Sequence, residues 1–422
     1  MNQSRSSLIS SRLILVLYGA LLISLVFSFR AVNSIAAGLL VPATLLYNKY
    51  KTGRFFSPPK PGLLFYACTA FFLYTCLSLL FHPVTPDDWR QLLLKTTLVV
   101  VPFVICCSDF LATENWKILR VIYTLTVAAG AIYCLSVSAG NYFSTGDDSA
   151  LFYHKLVSPL KHHAIYYSLL VFFAILSLLE SAGPGKWVGS KAIHIIVTVF
   201  LVFFLLLLSS KLIISCFICY LLYMLFFVKT LFKISRSQKA IAAVFIIAGS
   251  GLILFTNNPV SRRFADLFKG QTVLADRESY QPGDYFNGLQ FRLLQWKLVP
   301  EMLTKENAWI GGTGAGRSQS LLAKAYIEKN MYTGNAAANQ HGYLLYNTHN
   351  ALLETLLKYG IPGMLLFIGI CAAMVQLALH KKSRALTVSV VLLLLYSFTE
   401  AVLETQFGIL IFTFFPLFFS RK

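Results

Sequence analysis

Acidic side chains are scarce in this chain: 17 Asp and Glu stand against 36 Lys and Arg in 422 residues. Charged residues of both signs reach only 13%, too few to solvate the surface of a soluble domain of this length. The polar interval from about Asn257 to Tyr359 has no cysteine, and all eight cysteines lie in apolar segments, which argues against a disulfide framework. Cys216 and Cys219 have redox or metal spacing without a His or acidic neighbour, so they read as two buried small apolar residues. No His-x-x-x-His occurs, and Asp276, Glu278 and Asp284 are irregularly spaced, so no metal site and no cofactor are expected. Glu400 and Glu404, read as one helical turn apart near the outer end of the eleventh span, are the one exception that could serve a metal, with a structural pair of polar contacts as the default. Gly311 to Gly316 follows no alternating strand pattern and lacks a Gly-Lys-Ser/Thr ending, which excludes a dinucleotide or P-loop site. The basic residues punctuate apolar runs instead of gathering in a patch, so nucleic acid is not an expected partner.

What the chain has in abundance is hydrocarbon, with 57% hydrophobic residues. A helix crossing a bilayer needs about 20 mainly apolar residues. Twelve stretches meet or approach that length: 13–29, 31–48, 62–81, 91–111, 118–139, 164–180, 192–209, 212–231, 239–256, 361–379, 385–402 and 405–420. The first, behind Arg5 and Arg12, has no small-residue cleavage site after it and reads as a retained span. Placing the N-terminus in the cytoplasm puts nineteen positive residues against three acids (Asp109, Glu114, Glu180) on the inner side; the outer side then has seventeen against fourteen. That alternation is the positive-inside pattern. The expected fold is an all-α polytopic membrane protein of about twelve transmembrane helices with one large helical loop outside and both termini cytoplasmic. Residues 1–256 form a nine-helix part, 257–360 the loop and 361–422 a three-helix part of one integral membrane domain.

The loop holds the residues best suited to chemistry. Phe291–Leu303 has apolar residues at helical spacing, with Arg292 and Trp296 four apart, and Ser318–Asn330 again reads as helix. Gly312, Gly314 and Gly316 imply a turn that lets backbone approach something closely. Asn350 caps a short helix supported by a Glu354–Lys358 pair, and Gly360-Ile361-Pro362-Gly363 breaks it before the next span. His349, just before the cap, can exchange a proton near neutral pH; a capping or anchoring His is the plainer alternative. Arg292 and Arg317 offer guanidinium forks that match phosphate oxygens, or are solvated and snorkelling arginines. Lys211, in the turn after Ser209-Ser210, and Lys95, a turn inside the fourth span, are candidates for inward-facing phosphate contacts against the same alternative. Membrane lipids are expected partners throughout.

Taken in order, Arg292 with Trp296, the Gly-Thr-Gly-Ala-Gly turn, His349-Asn350-Ala351-Leu352-Leu353-Glu354 and Gly360-Ile361-Pro362-Gly363 resemble the O-antigen ligase and polymerase superfamily of bacterial envelope proteins. The motif resemblance covers about Asn257–Leu366. It implies a GT-C-like glycosyltransferase of the bacterial inner membrane whose large loop is periplasmic. Such an enzyme moves a glycan from undecaprenyl pyrophosphate to an acceptor hydroxyl without nucleotide or required metal. By the same resemblance His349 activates the acceptor or steadies the transition state, Arg292 binds the pyrophosphate, and Lys211 stands where the family often has Arg. His163, in His163-Ala164-Ile165-Tyr166, resembles a His-x-x-Tyr stretch that opens a span in relatives. The first expectation is an O-antigen ligase acting on lipid A-core in lipopolysaccharide biosynthesis. A polymerase or a protein O-oligosaccharyltransferase is the alternative within the superfamily. A polysaccharide or lipid transporter is the alternative of another class, disfavoured because the polar features lie at the outer face instead of the midplane.

Overall fold

The computed structural model describes residues 2–56, 62–112, 115–180, 191–228, 235–256, 258–265, 277–281, 283–284, 286–335 and 340–421. Asn257, Lys60, Glu114, Lys186, Lys229, Lys233, Asp276 and Lys422 lie outside them. No strand forms among the described residues; a single antiparallel bridge joins Asn335 and Gln340. Every one of the twelve apolar stretches carries a helix. Among the described residues, four helices are long and apolar enough to cross a membrane: Arg30–Thr52, Pro86–Cys106, Asn115–Thr145 and Ala351–Lys381. A fifth span results if Tyr153–Leu160 and Ala164–Glu180, bent by 79°, count as one. Six shorter apolar helices accompany them.

Element boundaries follow local chemistry. The expected span at 91–111 begins earlier, at Pro86, because Thr85 and Asp88 form a reciprocal capping box there, and it ends at Cys106. Asn287 and Gln290 cap Gly288–Lys305 in the same way. The second helix of the loop runs Ser318–Glu328, close to the expected range. Cys216 is half-buried and Cys219 exposed on the Lys211–Phe227 helix, which corrects the expectation that both are interior residues.

The chain divides into two compact units, Met1–Ala43 with Phe110–Phe268 and Thr44–Asp109 with Lys269–Lys422. In the first unit the Asn115–Thr145 and Ala164–Glu180 helices are tied across an apolar interior by two tyrosines. The Tyr123 hydroxyl donates to the Leu170 carbonyl at 2.7 Å and that of Tyr167 to the Val127 carbonyl at 3.1 Å. Each buried phenol thereby has an acceptor, which burial demands.

In the second unit Ala351–Lys381 packs on Leu63–Ser78 and Arg384–Ser397, and Gln406–Phe419 packs on Thr97–Cys106. The polar interval has its own core. Phe286, Phe291, Leu294, Leu298, Val299 and Leu303 close over Leu322 and Tyr326 of the second loop helix and over Leu356 and Leu357 of the long helix. Gln295, fully buried among them, donates to the Tyr326 hydroxyl and the Asn347 carbonyl. The loop is thus a packed helical layer fixed to one end of a membrane-length helix, and that end carries His349.

Candidate functional site

The site is assembled by a connector that the apolar pattern assigns to the ends of two spans. The Arg384–Ser397 helix stops at Ser397, and residues 398–405 lead through a 3-10 turn at Val402–Glu404 to the last helix. Glu400 and Glu404 are therefore not one turn apart on a common helix, and they act separately.

Glu400 lies between the two residues first picked from the loop. One carboxylate oxygen is 3.3 Å from His349 Nδ1 and the other 3.7 Å from Arg292 Nη2. The same Arg292 nitrogen donates to the Thr399 carbonyl at 2.7 Å, and Nη1 donates to the Gly288 carbonyl at 2.8 Å. These bonds aim the guanidinium along the connector. Asn350 caps the long helix through Leu352 N–H and Leu353 N–H, and its amide donates to the Phe398 carbonyl at 3.4 Å. Arg292 and His349 remain 24% and 26% exposed, open to a ligand, while Glu400 is more enclosed at 13%.

His349 has φ +44°, a left-handed conformation that costs a non-glycine residue about 1 kcal/mol or more and persists only where its surroundings over-determine it. They do so from both sides. Asn347 Oδ1 accepts the His349 N–H at 2.9 Å, while Thr348 gives both its N–H (3.1 Å) and its hydroxyl (2.9 Å) to Glu354.

Glu354 opens a buried chain of alternating charge. It pairs with Lys358 at 2.9 Å; Lys358 also pairs with Glu404, and Glu404 lies 3.5 Å from Lys95. Two carboxylates and two ammonium groups compensate one another, as buried charges must. Burial alone would raise the Glu404 carboxyl, but the Lys358 and Lys95 cations outweigh it and hold it ionised, down at about 2. Lys95 was a candidate phosphate contact; here it is completely buried, with its ammonium on Glu404, the Leu403 carbonyl (3.1 Å) and Gln91 (3.3 Å). It belongs to the chain of ion pairs that fixes the connector.

The glycine turn meets the break in the long helix. Gly360, at φ +67° and ψ −170°, interrupts the helix, and the Ile361 N–H goes to the Trp309 carbonyl at 2.8 Å. Pro362 has no N–H to give. The carbonyls of Leu357 and Lys358 thus lose their helical donors, and the glycine turn replaces them. Thr313 gives Leu357 its N–H (2.8 Å) and hydroxyl (3.0 Å), and Gly314 N–H reaches the Lys358 carbonyl at 3.2 Å. A Cβ at Gly312, itself at φ +74°, would collide with the Lys358 carbonyl. Gly316 N–H donates to Asp88 at 2.7 Å, which joins the turn to the cap of the Pro86–Cys106 helix.

The remaining candidates lie elsewhere. Arg317 pairs with Glu306 at 3.4 Å and is 40% exposed. Lys211, at the start of its helix, and His163 belong to the first compact unit, whereas Arg292, His349 and Glu400 belong to the second. The His163 ring is 4.0 Å from that of His154 and 5.8 Å from that of Tyr166. Among the described residues no group of three or more His, Cys, Asp or Glu is placed to hold a metal ion.

The family model described as O-antigen ligase matches residues 195–368, a segment that contains Arg292, the glycine turn, His349 and the helix break. The likeness to the O-antigen ligase family thus rests on this segment of the 422-residue chain. A comparison with curated proteins gives no match. Members of the O-antigen ligase family are ligases or polymerases of the glycosyltransferase kind, which act on lipid-linked glycans and their acceptors. The apolar helices and the family together mark a bacterial membrane protein. Glu400 lies beyond the matched segment. The signal for it was available in the chain: with so few acids, two carboxylates at one end of an apolar stretch need cationic partners.

Proposed function

We propose that the protein is an inner-membrane glycosyltransferase that moves a glycan from undecaprenyl pyrophosphate to an acceptor hydroxyl at the periplasmic face, as an O-antigen ligase acting on lipid A-core. The observation that carries this reading is Glu400 held between His349 and Arg292 at the rim of a membrane-length helix. The proposal takes the twelve apolar helices as spans of a GT-C-like bundle, with both termini cytoplasmic and the 257–360 loop outside.

The chemistry needs a base near the incoming hydroxyl and cations at the leaving group. With Nδ1 protonated and donating to Glu400, His349 keeps a lone pair on Nε2 to take the acceptor proton. The acceptor oxygen then bonds to the anomeric carbon as the bond from that carbon to the pyrophosphate oxygen breaks. Glu400 steadies the imidazolium that forms. Arg292, fixed by two backbone carbonyls, presents a guanidinium to the charge developing on the pyrophosphate. Arg317 stands as a further donor contact in this proposal. The reaction asks for no metal, because pyrophosphate is already a good leaving group.

A lipid donor must be met at an apolar surface. Leu289, Leu293 and Trp296, spaced four and three along the Arg292 helix, are all exposed. That stripe beside the guanidinium suits a substrate with a polyprenyl tail.

The test is a reconstituted assay with an undecaprenyl-pyrophosphate glycan and separate acceptors. Transfer to lipid A-core supports a ligase; extension of a second lipid-linked glycan instead assigns a polymerase. Absence of transfer to any hydroxyl acceptor, with intact protein in the bilayer, overturns the reading.

A further inference from the structure

Far from His349, at the opposite end of the long helix, four helix ends gather around a cavity of about 450 Å³. Leu63–Ser78 begins there, and Thr97–Cys106, Ala351–Lys381 and Gln406–Phe419 end there. Its lining residues on the long helix, from Ala373 to Lys381, lie beyond the break at Gly360 from Asn350. The walls divide by chemistry. Leu63, Leu64, Ala373, Leu377 and Leu417 are apolar, whereas His380, Lys381 and Arg421 bring basic groups together with the amide of Gln376 and the hydroxyl of Ser420. No carboxylate is among the described residues that line it.

We infer that this cavity binds the headgroup and upper acyl region of an anionic phospholipid. Two features select that class. Lys381 and Arg421 face a common cavity with no carboxylate among the described lining residues, so an anion lowers their mutual repulsion; the Arg421 guanidinium, with five N–H donors, gives one of them to the Ile105 carbonyl at 2.8 Å. The leucine walls favour hydrocarbon over water, which a free phosphate cannot supply. Four apolar helices ending together mark the edge of the hydrocarbon layer, where a phospholipid places its phosphate directly beside its acyl chains. The volume lies within the range of ligand sites. The site is separate from the His349–Glu400–Arg292 constellation and does not depend on the reaction assigned to it.

The experiment purifies the full chain in detergent after exposure to mixed phosphatidylglycerol and phosphatidylcholine, then quantifies the lipid that stays bound. The wild type is expected to retain phosphatidylglycerol several-fold over phosphatidylcholine. Lys381→Gln with Arg421→Gln is expected to lose that preference, and Lys381→Arg to keep it. Leu377→Trp, which fills the cavity and leaves every cation in place, is expected to lose the bound lipid as well. Equal retention of the two lipids by the wild type overturns the inference, as does unchanged retention in both the double variant and Leu377→Trp. Displacement of phosphatidylglycerol by millimolar inorganic phosphate assigns the site to the free ion and overturns the lipid assignment.

Discussion

Glu400 Oε2 lies 3.3 Å from His349 Nδ1, across 51 residues of sequence, and the other oxygen of the same carboxylate faces Arg292. A single acid thus orients the group proposed as base and balances the group proposed to hold the leaving pyrophosphate. His349→Ala is expected to abolish transfer while leaving membrane insertion and abundance intact. Glu400→Gln, which keeps size but not charge, is expected to slow turnover by about a hundredfold or more, the scale on which positioned acid–base groups act. Glu400→Asp should recover part of the loss. Turnover of lipid-linked glycan, with protein quantified by immunoblot, measures all three. Wild-type turnover in Glu400→Gln removes the carboxylate from the mechanism.

Arg292→Lys separates charge from geometry. Lysine keeps the positive charge, but one ammonium on a flexible stem cannot reproduce the donations to the Gly288 and Thr399 carbonyls and also present a fork to phosphate. The expected outcome is a raised KM for the lipid donor, with transfer efficiency down by about tenfold or more. The KM for the acceptor should change little. An effect confined to the acceptor KM would move Arg292 out of the donor site.

Much of this arrangement was legible where the signal is local. The helices around Arg292 and after Ser318, the Asn350 cap, the Glu354–Lys358 pair and the break at Gly360 each rest on residues within one or two turns of each other. Pattern and turn chemistry operate at that range. Glu400 was seen but misplaced, because its meaning depends on partners that no periodicity links to it. Lys95 failed for the same reason. Its ammonium meets the Leu403 carbonyl 308 residues away, and nothing short of the folded chain distinguishes a lysine in a buried ion pair from one facing a phosphate. The glycine turn was read correctly as a close approach, but its object, two carbonyls stripped of their helical donors, exists only once Gly360 has broken the helix.

Gly360→Ala is expected to damage the fold. The residue sits at φ +67°, and an added Cβ would strike the Ile310 carbonyl, against which no flexible side chain can yield. Strain at such a position costs on the order of 1–3 kcal/mol before the collision is counted. Gly369→Ala, with nothing within 4 Å of the added carbon, is the matched control and should be neutral or slightly stabilising. Thermal unfolding in detergent distinguishes the two; equal midpoints would contradict the close approach of Gly360 to Ile310.

Removal of divalent metal is expected to leave transfer unchanged in the purified enzyme. The proposed site offers one imidazole and one carboxylate, the latter already engaged by Arg292. Strong inhibition by a chelator, reversed by one divalent cation, would replace the metal-free mechanism with a metal-assisted one.

Lys358 gives the sharpest test of the buried charge chain. It is 5% exposed and is shared by Glu354 and Glu404, so Lys358→Met leaves two buried carboxylates with Lys95 as their remaining cation in the chain. Breaking a buried pair from one side costs about 3–5 kcal/mol, much of it the desolvated charge left behind. Lys358→Met with Glu354→Gln removes one charge of each sign and should recover most of that stability. It should not recover full activity, because Glu354 is also the acceptor for Thr348 N–H and hydroxyl, which hold the backbone that leads into the strained His349. The expected pattern is a large drop in unfolding midpoint for the single variant. For the double variant it is a near-native midpoint with reduced kcat and little change in donor KM. A double variant restored in both stability and kcat would show that the ion chain supports the fold alone and does not position His349.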